Sequence, residues 1–384
     1  MKLDPKEKFY LFKKNKNFCS VPWNLLYVDD VGKIKVCVSN QTVLGDLHDS
    51  SLDTILTGSE IVQIKNDMFE DRPVPSCSKC LKKEQQIDSS TSYKFLRNLY
   101  NEMFVGQDVD YKDATKFSFS ALDLHWSSIC DLKCVTCWAP QSSSLAVEQG
   151  IPVKHIDSRV VSELIDKFVD NQHELKEIYF SGGEPTLIKQ NLALLRRLDK
   201  RPDLQIRVNS NMMWQQDNYI VQEILKFPNV LFTCSADNTK DKFEYIRRGA
   251  RWDRFLDNLK FLSAQPNVRI RINLVFFVLS ALDLIDTIDF FSKEYQIKDF
   301  TINQCGMEQT HLRCRNLSTT VKQKVISNIE QAKNKYANNL NLLGQFSNCL
   351  VELAEPSSEG FAEYFCKIDS LADSNFKHIF PELL

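Results

Sequence analysis

A chain of 384 residues, 43% hydrophobic and 26% charged, has the composition of an ordinary globular protein with room for more than one domain. Its formal net charge of -2 excludes the strong overall positive field of a non-specific nucleic-acid binder, and no apolar run reaches membrane-span length. The opening MKLDPKEKFYLFKKNKNF lacks the apolar core of a signal peptide, so a cytoplasmic, reducing setting is expected, with no membrane and no nucleic-acid partner. There, twelve cysteines point to metal or redox chemistry rather than to a disulfide framework.

Residues 1–95 predict a small cysteine-rich α+β domain, with short strands in LLYVDD (25–30) and KIKVCVS (33–39), a turn-rich centre and a helix near SLDTILTG (51–58). Cys19, Cys37 and the CxxC pair Cys77 and Cys80 are its metal candidates. Four thiolates close either a 4Fe-4S cluster or a tetrahedral zinc site, and both readings stay open. Residues 96–116 read as a helical linker.

From residue 117 to 316, β-type runs alternate with amphipathic helical stretches. The expected strands are 117–124, 177–181, 204–210, 230–235, 268–277 and 299–303, and the helices between them include 158–171, 188–200, 218–227 and 282–295. The fold class is α/β, a partial (βα)6 TIM-type barrel. Residues 317–384 are expected to form a helical extension packed on that barrel.

The first expected barrel strand runs into SSICDLKCVTCWAP, where Cys130, Cys134 and Cys137 form CxxxCxxC at the end where parallel barrels carry their active-site groups. Three thiolates can each hold one iron of a four-iron cubane and leave one iron open. The alternative is structural zinc, with nearby His125 as a fourth ligand. After the second strand, SGGEPTL (181–187) has adjacent glycines that allow close backbone approach to a ligand, with Pro185 setting the exit of the turn. Two polar strand ends, RVNSN (207–211) and TCSADN (233–238), present Asn209, Ser210, Ser235 and Asp237, residue types that also serve ordinary turns and caps. Arg247 and Arg248 follow in EYIRRGARWDRFLDNLKFL (244–262). A guanidinium there can grip a carboxylate through two parallel hydrogen bonds.

Taken together, these segments resemble the radical S-adenosylmethionine (SAM) superfamily, over the barrel and its flank. The resemblance implies a 4Fe-4S cluster on Cys130, Cys134 and Cys137 as the catalytic centre, with SAM at the open iron. It implies that Gly182, Gly183 and Glu184 hold the SAM ammonium through backbone groups while Pro185 shapes the loop. Asn209, Ser210, Ser235 and Asp237 would contact ribose and carboxylate, and Arg247, ahead of Arg248, would pair with the carboxylate. One departure is Thr136, where an aromatic residue commonly precedes the last cysteine; Trp138 stands one place after it.

CDLKCVTCWAPQSSS is similar to radical SAM proteins that carry a twitch domain. Gly32 and Cys37 match the GxxxxC hairpin of SPASM and twitch domains, and LGDLHDSSLDTILTG (44–58) resembles the segment joining it to the CxxC. This implies an auxiliary 4Fe-4S cluster, with zinc as the alternative, in a domain that here precedes the barrel. The implied activity is SAM cleavage for hydrogen abstraction from a peptide or protein, fed by an electron donor such as flavodoxin or ferredoxin. Dehydrogenation or epimerisation of a small metabolite is the second reading, and a non-catalytic metal-stabilised binding protein the third.

Cys234, Cys305, Cys314, Cys349 and Cys366 are isolated, and core packing is expected for each. Cys305 and Cys314 follow the last barrel strand and are secondary candidates for a radical or acid-base role. His48, His125, His155, His173, His311 and His378 show no ligand spacing of their own.

Overall fold

The structure is a computed structural model that describes residues 3–40, 42–86, 96–107, 109–306, 309–357, 360–372 and 374–383. Its strands are β1 (Leu25–Val28), β2 (Lys33–Lys35), β3 (Val43–Asp46), β4 (Ala121–Leu124), β5 (Glu177–Phe180), β6 (Gln205–Ser210), β7 (Val230–Ser235), β8 (Val268–Phe276) and β9 (Phe300–Gln304). All lie in one sheet of order β3-β2-β1-β4-β5-β6-β7-β8-β9.

From β4 to β9 every neighbouring pair is parallel and spatial order follows chain order, so each step needs a crossover. Helices such as Ser158–Asp170, Lys189–Arg197, Trp252–Ser263 and Leu284–Glu294 supply it. Ser158–Asp170 shows why such a segment is helical: Asp157 caps it by accepting the Arg159 N–H, and Val160, Val161, Leu164, Ile165 and Phe168 form one buried stripe. These six parallel strands form the expected partial barrel.

Strand alternation divides the sheet into two faces. Leu122, Leu124, Ile178, Phe180, Ile206, Val208, Phe232 and Ile272 belong to the main core under the helices. The opposite, inner face carries Asp123, Tyr179 and Arg207 in register, then Asn209, Thr233 and Arg271 in register.

The N-terminal domain has its own core of Phe12, Phe18, Trp23, Phe104 and Tyr111. Its strands nevertheless extend the barrel sheet. β1 runs parallel to β4 from Leu25 opposite Ala121 to Val28 opposite Leu124, and β2 and β3 add to it antiparallel. The expected boundary at residue 95 lies outside the described residues.

Three local differences have physical causes. β4 starts at Ala121 rather than residue 117, because the Glu174 carboxylate takes the Ser118 hydroxyl and the Phe119 N–H, each at 2.8 Å, ahead of any sheet bond. The strand expected over 33–39 stops at Lys35, and Cys37 lies in a turn closed by the Asn40 N–H on its carbonyl at 3.1 Å. Helix Pro5–Lys13, helix Ser59–Phe69 and β3 were not anticipated, although Asp4 and Glu7 form a capping box before the first of them.

The C-terminal helices Thr319–Lys335, Leu340–Ala354 and Ala362–Ala372 pack against the barrel. Gln345 bonds β9 directly, through Nε2 to the Phe300 carbonyl at 3.0 Å and through Oε1 to the Ile302 N–H. Cys366 corrects the expectation of core packing: it is exposed, because Phe365 and Ile368 take the buried side of its helix. Among the described residues no helix is long and apolar enough to cross a membrane.

Candidate functional site

The loop leaving β4 carries Cys130, Cys134 and Cys137 beyond the C-terminal ends of the parallel strands. Its shape is held from three directions. Ser143 Oγ accepts the Cys130 N–H at 3.1 Å, while Ser144 and Ser142 hydroxyls donate to the Cys130 and Leu132 carbonyls, both at 2.7 Å. The Lys133 and Val135 N–H groups donate to the Arg248 and Ile246 carbonyls at 3.0 and 2.9 Å. Gln309 Nε2 and the Tyr364 hydroxyl donate to the Cys137 and Val135 carbonyls, both at 2.9 Å. Beside Cys137, Thr136 is half-buried and Trp138 exposed, so the loop packs on Leu132 and Val135 instead.

The GGEP segment leaves β5 and lies against this loop. Gly183 N–H donates to the Ser127 carbonyl at 3.0 Å and Glu184 N–H to the Ile129 carbonyl at 2.7 Å. A Cβ on Gly183 would stand 2.1 Å from the Ile129 oxygen, and one on Gly182, at φ +100°, 2.6 Å from the Ser127 oxygen. The glycines are therefore demanded by the approach of two loops to each other, a reason absent from the sequence reading.

The Glu184 carboxylate is buried and joins this segment to the end of β6. It accepts from Thr186 Oγ1 at 2.7 Å, Ser210 Oγ at 3.0 Å and the Asn211 N–H at 2.7 Å. Ser210 lies on the helix-facing side, where its hydroxyl also accepts from the Met212 N–H at 3.0 Å and Trp214 Nε1 at 3.2 Å. Glu184→Ala strands these donors and should lower stability by about 3 kcal/mol in urea denaturation. Burial raises the Glu184 carboxyl from 4.5 to about 7. A raised value stabilises the fold fully below the unfolded pKa, and that contribution is lost as pH rises through the folded one. The cluster-free protein should therefore lose stability between pH 4.5 and 7 through this group, and Glu184→Gln should flatten that part of the urea-midpoint profile.

Asn209 and Ser235 sit on the inner face near the strand ends. Asp237 and Arg247 form a buried ion pair at 2.9 Å; Asp237 also accepts the Val275 N–H at 2.8 Å, and Arg247 Nη1 lies 3.9 Å from Cys134 Sγ. Arg248 is used differently, with Nη1 and Nη2 on Glu148 at 3.2 and 2.6 Å and Nε on the Lys133 carbonyl at 3.0 Å. Adjacent arginines thus divide into one beside the thiols and one that staples the loop. Burial pushes all three thiols up, Cys137 to about 12, and Arg247 opposes this at Cys134.

In the N-terminal domain, Cys19, Cys37, Cys77 and Cys80 line one cavity with Val36, Met68, Val74 and Arg97. Gly32, at φ +82°, makes the turn from β1 to β2 that delivers Cys37. Asn40 Nδ2 lies 3.2 Å from Cys77 Sγ. Arg97 bonds Glu84 and donates to the Lys16 and Phe18 carbonyls at 3.2 and 3.1 Å. Burial raises Cys37 to about 12 and Cys80 to about 11. Neither Asn40 nor Arg97 was singled out from sequence, since no spacing rule ties them to cysteines distant in the chain.

Residues 124–291 match the radical SAM superfamily, and residues 19–81 match the SPASM domain, an iron-sulfur cluster-binding domain. The first match spans the cysteine loop, the GGEP segment and strands β5 to β8.

The donor sets fit what these domains bind. Three thiols on one loop suit a radical SAM cluster with an open iron, and four thiols around one cavity suit a closed auxiliary cluster. The cofactors implied are 4Fe-4S clusters and SAM, and the SPASM match replaces zinc with iron-sulfur at the N-terminal site. Radical SAM domains are enzymatic, so the non-catalytic reading gives way.

The chain is 24% identical over 170 residues to a probable GTP 3',8-cyclase of Methanocella arvoryzae, covering 43% of this chain and 50% of that protein. It thus spans about half the length of the curated relative it matches. Among solved structures it is similar to native anSMEcpe with bound AdoMet, at 18% identity over 58% of this chain and 62% of that chain, TM-score 0.44. It is also similar to SuiB of Streptococcus suis bound to its precursor peptide SuiA, at 18% identity over 67% and 60%, TM-score 0.41.

Of the remaining cysteines, Cys234, Cys314 and Cys349 are buried in the core of the radical SAM domain and its extension. Cys305 is buried with Sγ 3.4 Å from Gln309 Oε1, beside the amide that holds the Cys137 carbonyl. Burial raises its thiol to about 12.

Proposed function

We propose that this chain is a radical SAM enzyme that modifies a peptide or protein. The observation that carries the chemistry is the convergence of the cysteine loop, the GGEP segment and Arg247 at one end of the parallel sheet. The substrate class rests on the resemblance of the N-terminal domain to SPASM and twitch domains, whose relatives often modify peptides, proteins or small metabolites; the match itself is to an iron-sulfur cluster-binding domain.

The cofactors, when bound, supply reductive cleavage of the SAM sulfonium and a 5'-deoxyadenosyl radical for hydrogen abstraction. Cys130, Cys134 and Cys137 would hold three irons, and Cys19, Cys37, Cys77 and Cys80 the auxiliary cluster. Gly182, Gly183, Glu184 and Pro185 place backbone groups beside the thiols for the SAM ammonium. Asn209 and Ser235 offer polar groups from the inner face, and Asp237 orients the Arg247 guanidinium toward Cys134 and a carboxylate. Ser210 acts through Glu184, as a positioning residue. Flavodoxin or ferredoxin would deliver the electron, in the cytoplasm, where the thiols stay reduced. A small-metabolite substrate is the second reading, favoured by the partial match to a probable GTP 3',8-cyclase.

Anaerobic reconstitution with iron and sulfide, followed by SAM and dithionite, should release 5'-deoxyadenosine; none after full cluster loading overturns the reading. Cys77→Ala should lower the iron content from about eight to about four per chain.

A further inference from the structure

The four thiols of the N-terminal domain share their cavity with Val21, Val36, Met68, Val74 and Leu81, and Arg97 is the charged side chain among the described residues that line it. A four-iron cluster on four thiolates gains one more negative charge when it is reduced, and apolar walls oppose that gain. Two groups of this chain favour it.

The first is Asn40, 2% exposed. Its amide is oriented by the Thr42 N–H, which Oδ1 accepts at 2.8 Å, so Nδ2 is turned toward Cys77 Sγ at 3.2 Å and Ser76 Oγ at 3.1 Å. A donor on a ligand sulfur bonds more strongly as negative charge builds up there.

The second is Arg97. Its Nε donates to Glu84 Oε2 at 3.0 Å and its Nη1 to the Lys16 and Phe18 carbonyls at 3.2 and 3.1 Å. Phe18 precedes Cys19, and Glu84 shares helix Ser78–Gln86 with Cys80, so one guanidinium braces the approaches to two of the thiols. Both charges also reach a sulfur: burial raises the Cys80 thiol most, Glu84 adds to the rise and Arg97 opposes it. Glu84 and Arg97 lie beyond residues 19–81, the stretch that matches the SPASM domain.

We propose that Asn40 and Arg97 set the reduction potential of the auxiliary cluster, holding it above the value that the apolar cavity alone would give, with Glu84 acting against Arg97. The proposal rests on the iron-sulfur reading of Cys19, Cys37, Cys77 and Cys80, which iron content tests by itself. A donor and a cation beside the thiols stabilise the reduced form more than the oxidised one, because the reduced form carries the extra charge.

The full chain carrying Cys134→Ala, so that the auxiliary cluster is followed alone, is reconstituted with iron and sulfide and titrated with dithionite in the presence of redox mediators. Electron paramagnetic resonance counts the reduced cluster. Asn40→Leu and Arg97→Gln should each shift the ratio of reduced to oxidised cluster about ten-fold toward oxidised, a fall in midpoint of about 59 mV for one electron. Glu84→Gln should raise the midpoint. Arg97→Gln and Glu84→Gln break the same contact, so a merely structural brace would move both the same way, and opposite signs mark the charge effect. Midpoints unmoved at full iron loading, or moved in one direction by both members of the pair, overturn the proposal. Where Arg97→Gln or Asn40→Leu takes up no iron, Glu84→Gln decides, and a midpoint that does not rise overturns it. About four irons are expected in the parent. None there discards the iron-sulfur reading and the proposal with it, whereas full loading with unmoved midpoints discards the proposal alone.

Discussion

Cys134→Ala protein, reconstituted with iron and sulfide and given SAM and dithionite, should release no 5'-deoxyadenosine above background while retaining about four of its roughly eight irons. Cys134 is the central thiol of the loop and lies beside Arg247, so its loss removes one iron ligand and the neighbour of that guanidinium together. The N-terminal thiols line their own cavity, and their cluster should persist. Iron analysis and product chromatography on one sample check both halves, and retained cleavage would sink the assignment of this loop.

Gly183→Ala should be nearly as damaging although the residue binds no metal. An added Cβ meets the Ile129 carbonyl at 2.1 Å, and the atom that must yield is backbone one residue before Cys130. Overpacking against backbone should cost roughly 3 kcal/mol or more and displace the loop that presents the thiols. Gly106→Ala is the control: among the described residues nothing lies within 4 Å of its added Cβ, and its urea midpoint should stay near that of the unmutated chain. Urea denaturation of the metal-free variants and iron uptake afterwards separate the two effects.

How much could be read from sequence follows from how local each signal is. β7 covers residues 230–235 as expected, because VLFTCS is apolar enough to be buried on both faces. FSFS at 117–120 has equal β character, yet a carboxylate from residue 174 claims its hydrogen bonds. The cysteine loop was legible because its ligands sit within eight residues of each other. The contacts that shape the site were not: Glu184 with Ser210, Arg247 with Asp237 and Arg97 beside the four thiols each join segments that only folding brings together.

The parallel pairing of β1 with β4 has a consequence for any attempt to dissect this protein. An auxiliary domain usually reads as a portable cassette, but here it occupies the hydrogen-bonding edge of the first barrel strand. Cutting the chain ahead of β4 would bare a row of unpaired amides and carbonyls, a template onto which another copy could zip. The excised catalytic half should then come out of solution as aggregate, leaving its chemistry accessible only in the presence of the segment that precedes it.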